Sequence, residues 1–332
     1  MISLGVVGTS AITHKFLSGA NLTNAFTVTA VYSRSRETGE AFAKEEGIPH
    51  VFTSLEEMAS SPLIDAVYIA SPNGLHPSQT RVFLDGGKHV ICEKALVTAK
   101  EEYVALKALA DQKGLIYMDA IIPRHVKARE AVHNALARIG KIKEAHLTFC
   151  QRSSRLDDYL AGMPVNIFDM SLHAGCLMDI GIYCVWAAID LFGIPLSLTA
   201  SADYLKDDAD TSGIAQLTYP GFSCTLTYSK TKTQDTPSII VGEKGTLSLS
   251  SISQYLGVTL TLENGEEEIA AYPSRAEVMS GEAKQFANFI LNTDVWADEY
   301  AHLSEQTLMV YTLMDQIKES AGIHYPADRS ET

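Results

Sequence analysis

The segment Gly5-Val6-Val7-Gly8-Thr9-Ser10-Ala11-Ile12-Thr13 joins a first strand pattern to a first helix pattern. There, backbone N–H groups and a helix N-terminus could receive the pyrophosphate of a dinucleotide. Gly8 matches the first glycine of G-x-G-x-x-G/A, while Ser10 and Thr13 replace the other two, so the same residues also suit an ordinary turn. About 20 residues further on, where an NAD site offers a carboxylate to the ribose 2′-OH, the chain reads Tyr32-Ser33-Arg34-Ser35-Arg36. A hydroxyl and a guanidinium suit a 2′-phosphate, which arginine binds bidentately and always in its charged form; the alternative is a solvated basic turn. Much later, Asp179 and Tyr183 stand four apart in an apolar stretch, on one face of an expected helix, where they could hold one substrate hydroxyl together. An aspartate inside such a helix needs a polar partner, whereas a tyrosine also belongs in a core. His173, Cys176 and Asp179 recur at i, i+3 and i+6. Side chains spread over nearly two turns fan around a helix, and no HExxH or CxxC pair completes the set, so no metal is expected.

These residues must be positioned by two kinds of structure. Through residue 121 short β-branched runs (Ser3 to Val7, Thr27 to Tyr32, Ala66 to Ala70, His89 to Cys92, Leu115 to Met118) alternate with helical patterns, which predicts a doubly wound parallel sheet. Ser54 with Glu57 and Thr98 with Glu101 fit capping boxes. From residue 122 to 332 the pattern becomes a helix, a strand near Ile142 to Phe149, an apolar helix from about Ala174 to Phe192, and then a succession of strands. These run Leu196 to Tyr204, Ile214 to Tyr219, Ser223 to Tyr228, Ser238 to Val241, Thr246 to Leu249, Gly257 to Leu262 and Glu268 to Ala271, with turn residues between them, which predicts a mostly antiparallel sheet. Helices over Gly281 to Leu291 and Leu303 to Ser320 close the chain.

The 332 residues exceed what one ordinary core holds and suit two domains. A net charge of −14 would oppose a polyanion, so nucleic-acid binding is not expected, although one local basic pocket for a phosphate is compatible with it. Five cysteines without a CxxC, and a start without a basic n-region or cleavage site, predict a reduced, cytoplasmic protein. The most apolar stretch, Cys176 to Leu198, carries Asp179, Asp190 and Pro195 and reads as a buried helix, not a membrane span.

Three ordered motifs carry a resemblance: Ser71-Pro72-Asn73-Gly74-Leu75-His76, Gly86-Gly87-Lys88-His89-Val90-Ile91-Cys92-Glu93-Lys94, and Leu177-Met178-Asp179-Ile180-Gly181-Ile182-Tyr183. With the two-domain pattern, they resemble the Gfo/Idh/MocA oxidoreductase family over nearly the whole chain. The resemblance implies an N-terminal Rossmann domain and a C-terminal α+β domain with a large open sheet. It implies a homodimer or homotetramer through that sheet, an expectation strengthened by apolar residues such as Leu217, Leu226 and Ile240, which exceed what one covering helix layer could hide. It also implies NADP(H), with NAD(H) as the other choice, and hydride transfer to or from a carbinol carbon of a sugar, polyol or diol.

Residue by residue, the resemblance makes Lys94 the proton donor or acceptor, a task for which a free lysine's pKa of ~10.4 must be lowered. Glu93, Ser71, Pro72, Asn73 and His76 fall on the cofactor side. Asp179 and Tyr183 join Lys94 in catalysis, Tyr183 resembling the branch with glucose-fructose oxidoreductase and dihydrodiol dehydrogenases. Arg124, His125 and His173 fall on the substrate side, and Asp119 replaces a family glutamate. Ala95 replaces the family's proline, and since a cis bond before alanine costs ~2.5 to 4 kcal/mol, a trans Lys94–Ala95 peptide is expected. A non-catalytic cofactor- or sugar-sensing regulator on the same fold is the alternative; the retained Lys94, Asp179 and Tyr183 favour the enzyme. Tightly held NADP exchanging hydride between sugars is a third reading.

A guanidinium contact to a dianionic phosphate contributes about 1.5 to 3 kcal/mol, so NADP(H) should bind about ten- to a hundredfold more tightly than NAD(H). Fluorescence titration of the two dinucleotides checks this, and Arg34→Ala should bring the two Kd values together. Equal constants in the parent, or an unchanged preference in the variant, contradict it.

Overall fold

The computed structural model of the chain describes residues 1–205, 209–270 and 275–325. It comprises two units, Met1–His125 with Pro273–Leu308, and Val126–Tyr272 with Met309–Thr332. The sequence reading placed everything after residue 121 in the second domain; instead the helix Arg275–Leu291 belongs to the first unit. Its apolar stripe was visible, but a stripe does not say which sheet it covers.

In the first unit, β1 (Ile2–Val7), β2 (Phe26–Tyr32), β3 (His50–Phe52), β4 (Ala66–Ile69), β5 (His89–Glu93) and β6 (Tyr117–Ala120) form a parallel sheet in the order β3-β2-β1-β4-β5-β6. Strands buried on both faces read as unbroken apolar runs, as β4 does with all four residues buried. At three residues, β3 is too short to show a period, and the sequence reading missed it. Met279, Ala283 and Phe286 of the returning helix join Phe16, Leu17 and Ala20 in one core, and the Phe26 and Phe286 rings stack 6.3 Å apart. The predicted cap at Ser54 forms, its Oγ accepting from Glu57 N at 3.1 Å. The second cap shifts by one residue: the helix starts at Lys100, so Glu102, not Glu101, accepts from Thr98 N and Oγ1, both at 2.8 Å.

In the second unit, β7 (Ile142–Cys150), β8 (Ser197–Tyr204), β9 (Asp210–Tyr219), β10 (Phe222–Ser229), β11 (Ser238–Gly242), β12 (Gly245–Ser251), β13 (Leu256–Leu262) and β14 (Gly265–Ala270) form one sheet. Its order is β14-β13-β12-β11-β7-β10-β9-β8, antiparallel throughout except where β10 runs parallel to β7. Ala271, expected at the end of the last strand, lies outside the described residues. Along β9, Ala215, Leu217 and Tyr219 are buried while Ile214, Gln216 and Thr218 are exposed, the alternation of a sheet covered on one face. Leu217, Leu226 and Ile240 are fully buried within this one chain. Helix Ile182–Phe192 covers β7 and β10, and helix Ala128–Arg138 covers β12 to β14. These three residues therefore give no reason for self-association.

The segment Met170–Phe192 is long and apolar enough to cross a membrane, but 83% of its most apolar window is buried in the protein. It is not one regular helix. Leu177–Gly181 forms a π turn, and the α-helix runs only from Ile182 to Phe192.

Asp190 near the end of that helix has a fully buried side chain. Arg129 Nε and Nη2 donate to its Oδ1 at 2.9 and 2.7 Å, and Tyr255 OH donates to Oδ2 at 3.0 Å, beside His133 Nε2 at 3.1 Å. Burial pushes the Asp190 pKa up, but His133 and Arg129 outweigh it and hold it at about 2, below the ordinary 3.8. A depressed folded-state pKa contributes stability that is present above ~4 and lost as pH falls toward ~2. Asp190→Asn should therefore cost about 2 kcal/mol at pH 7 by chemical denaturation, and the gap to the parent should narrow as pH falls below ~4. A gap independent of pH contradicts the assignment.

Candidate active site

A parallel doubly wound sheet offers the C-terminal ends of its strands to a ligand, at the point where strand order reverses. Here that point lies between β1 and β4. Gly8, just past β1, has φ +100°, and a Cβ on it would lie 2.7 Å from the Ala70 carbonyl oxygen. Only glycine lets the two loops approach this closely. Helix Ala11–Thr23 begins three residues later, and the Ser10 side chain makes no capping bond to it. Thr13 Oγ1 is buried and has no hydrogen-bond partner among the described residues. A close-approaching backbone and a helix start not capped by its own side chain fit a pyrophosphate held by the loop Gly8-Thr9-Ser10-Ala11-Ile12.

Past β2, Ser33 is nearly buried and its N–H donates to Phe52 O at 3.1 Å. Arg34 is exposed and makes no ion pair among the described residues. Ser35 Oγ accepts from Thr38 N at 3.3 Å and so fixes the helix that follows Arg34. Past β4, Ser71 Oγ donates to Gln79 Oε1 at 2.6 Å, and Pro72 leads into the short turn Asn73–Leu75. His76 is fully buried, with Nδ1 2.7 Å from Ala95 O and Nε2 2.7 Å from Ser71 O. Burial lowers its pKa, assisted by the Lys94 charge and opposed by the two carbonyls. The neutral ring donates to one of them at a time.

β5 ends on Glu93, and the half-buried Lys94 follows it. Tyr68 OH donates to Glu93 Oε1 at 2.7 Å, and Lys94 N donates to Oε2 at 3.3 Å. The Lys94–Ala95 peptide is cis, not trans as expected. The expectation weighed only the intrinsic preference of the bond; Ala95, Leu96 and Val97 are all fully buried, and the Ala95 carbonyl faces His76. Tertiary packing therefore overrides the local preference.

The first unit also buries Asp119 and Glu282. Burial, opposed by Arg124 and Thr307, leaves Asp119 at about 6, with Thr307 Oγ1 donating to its Oδ1 at 3.2 Å. Neither Glu282 oxygen has a hydrogen-bond partner among the described residues; burial, then the neighbouring Glu93 and Asp119, push its pKa well up. Arg124, expected on the substrate side, is buried and pairs with Glu299 at 2.9 Å and with Gln306. Its guanidinium ties the end of the sheet to the helix beginning at Ala297. His125 ends the short helix Ile122–His125.

In the second unit, Asp179 sits in the π turn, with 38% of its side chain exposed, and Lys230 Nζ lies 2.7 Å from its Oδ2. Tyr183 is largely buried, its ring edge-on to Phe149 at 5.7 Å. His173 has φ +50° and lies 4.6 Å from the Tyr325 ring. Arg152 and Arg155 pair locally with Asp157 and Asp158 of the short helix Leu156–Leu160. Sequence reasoning missed Lys230 and the fully buried Asp210. The only available signal was a lysine directly after an apolar strand, which does not reveal its partner. Thus the first unit gathers Gly8, Ser33, Arg34, Ser71, Asn73, His76, Glu93 and Lys94 at the ends of β1, β2, β4 and β5, and the second carries Asp179, Tyr183 and His173.

Comparison with known proteins bears on this arrangement. Residues 2–120 match the Gfo/Idh/MocA oxidoreductase family, NAD-binding Rossmann fold, and residues 125–248 match the family's C-terminal domain. Scyllo-inositol 2-dehydrogenase (NADP(+)) IolU of Bacillus subtilis is 36% identical over 330 residues, 99% of this chain and 100% of that protein. Trans-1,2-dihydrobenzene-1,2-diol dehydrogenase of Oryctolagus cuniculus is 27% identical, covering 91% of this chain and 92% of that one. Among solved structures, the 3-ketoreductase KijD10 from Actinomadura kijaniata, in complex with NADP and TDP-benzene, superposes with a TM-score of 0.85. That alignment covers 96% of this chain and 98% of the other at 24% identity, a likeness of fold.

Proposed function

The chain belongs to the Gfo/Idh/MocA oxidoreductase family, and from that premise we propose an NADP(H)-dependent enzyme that moves a hydride to or from a carbinol carbon of a sugar, polyol or diol. The observation that carries this reading is the gathering, along one edge of one parallel sheet, of the Gly8 loop, the Ser33-Arg34 turn and Lys94 at the ends of β1, β2 and β5. The relatives named for NADP(+) and for cyclic polyol and diol substrates support it.

Each residue then has a task. The N–H groups of Gly8 to Ile12 bind pyrophosphate, and Ser33 with Arg34 binds the 2′-phosphate. Ser71, Pro72, Asn73, His76 and Glu93 border the nicotinamide end. When bound, the dinucleotide supplies or accepts the hydride. In oxidation, Lys94 Nζ takes the proton of the substrate hydroxyl as the hydride leaves the same carbon; in reduction it returns that proton to the new alkoxide. Asp179 and Tyr183 orient the hydroxyl, with His125 and His173 on the substrate side. Five buried, free cysteines accord with a reducing, cytoplasmic setting. The family resemblance further suggests a homodimer or homotetramer through the eight-stranded sheet.

Reduction of NADP⁺ should be followed at 340 nm against scyllo-inositol, other inositols, D-xylose and trans-diols. With an accepted substrate, Lys94→Ala should lower kcat by about 10²-fold or more while the NADP Kd stays within a few-fold. Full turnover in that variant contradicts the role given to Lys94.

A further inference from the structure

A lysine is almost never fully buried unless paired, yet the Lys230 side chain is only 3% exposed. Its backbone is held on both sides: Lys230 N donates to Thr211 O at 2.8 Å, and Lys230 O accepts from Ser153 N at 2.8 Å. Its Nζ forms an ion pair with Asp179 Oδ2 at 2.7 Å. The ammonium also sits 5.2 Å from the centre of the Phe168 ring, a cation–π contact. A second carboxylate, the fully buried Asp210, feels the same ammonium charge.

Asp210 acts on the backbone of the segment that carries Asp179. Its Oδ2 accepts from Leu177 N at 2.7 Å, at the start of the π turn. Gly175, with φ +141°, precedes that turn, and a Cβ there would lie 1.9 Å from Asp210 Oδ1, so no side chain fits. Asp210 thus fixes where the turn begins, and Lys230 meets the side chain that the turn presents. The exposures are asymmetric: the Asp179 carboxylate is 38% exposed and the cation 3%. A molecule arriving from solvent reaches the carboxylate, with the cation behind it.

We propose that Lys230 is a positioning residue: from behind, its buried ammonium holds the Asp179 side chain ionised and in one place, so that Asp179 can orient the substrate hydroxyl. The proposal rests on the function proposed above in giving Asp179 to the substrate. It assigns Lys230 no proton transfer and no contact with substrate or cofactor. Nothing in an ordinary framework ion pair requires the exposed carboxylate to be the reactive partner, and that difference can be measured.

The test uses the full chain with NADP⁺ as parent, Lys230→Met, Lys230→Gln and Lys230→Arg. Aspartate labelled with ¹³C at the carboxyl gives the Asp179 titration, with Asp179→Asn identifying its resonance. Loss of the neighbouring cation should raise the Asp179 midpoint by about one pH unit or more in Lys230→Met or, if that variant does not fold, in Lys230→Gln. With an accepted substrate, kcat/KM should fall by about 10- to 100-fold while the NADP Kd stays within twofold. Lys230→Arg, which keeps the charge, should recover the midpoint and part of the rate. An unchanged midpoint in the neutral variants, or an unchanged kcat/KM, overturns the proposal. If the parent oxidises no member of the substrate panel, the functional reading fails; the titration still decides whether Lys230 holds Asp179 ionised.

Discussion

Taking a carboxylate out of water without a partner costs several kcal/mol, and the polar framework of each unit is arranged around that cost. In the second unit Asp190 is met by Arg129, His133 and Tyr255, and Asp210 by the Leu177 N–H and the Lys230 charge. In the first, Glu93 accepts from Tyr68, and Asp119 is eased by Thr307 and Arg124. Glu282 has no hydrogen-bond partner among the described residues, and burial pushes its pKa well up. Except for Glu282, these groups link strands and helices far apart in the chain.

Much of this was legible in the sequence wherever a pattern is local. The alternation of short apolar runs with helical segments gave the parallel sheet, and turn residues such as Pro220-Gly221 and Asn264-Gly265 marked the antiparallel one. Gly8 could be singled out because its reason is steric and local. What the sequence withheld depends on tertiary partners. Arg124 looked like a substrate residue until Glu299 and Gln306 came beside it. The π turn at Leu177–Gly181 is pinned by Asp210, which lies in another strand. The apolar face of Arg275–Leu291 did not reveal that it returns to the first unit, nor did the bond type before Ala95 follow from residue identity alone.

Each unit carries its own set of polar side chains. The first has the backbone geometry to bind a dinucleotide and carries Lys94, whose carbonyl neighbour Ala95 and side-chain neighbour Glu93 are both fixed by hydrogen bonds. The second carries a carboxylate held by a buried cation. A protein that only sensed a cofactor or a sugar would have no physical need for a proton-transfer group, which is the role proposed for Lys94.

The most direct measurement follows one hydrogen atom. The protein is incubated with NADP⁺ and a sugar or polyol deuterated at the carbinol carbon, and the reduced dinucleotide is examined by NMR. Hydride transfer predicts deuterium at C4 of the nicotinamide, on one face of the ring, with none exchanged with solvent. If NADP⁺ binds but no carbon-bound deuterium reaches it from any member of the panel, the chain is a binder and not the oxidoreductase described here.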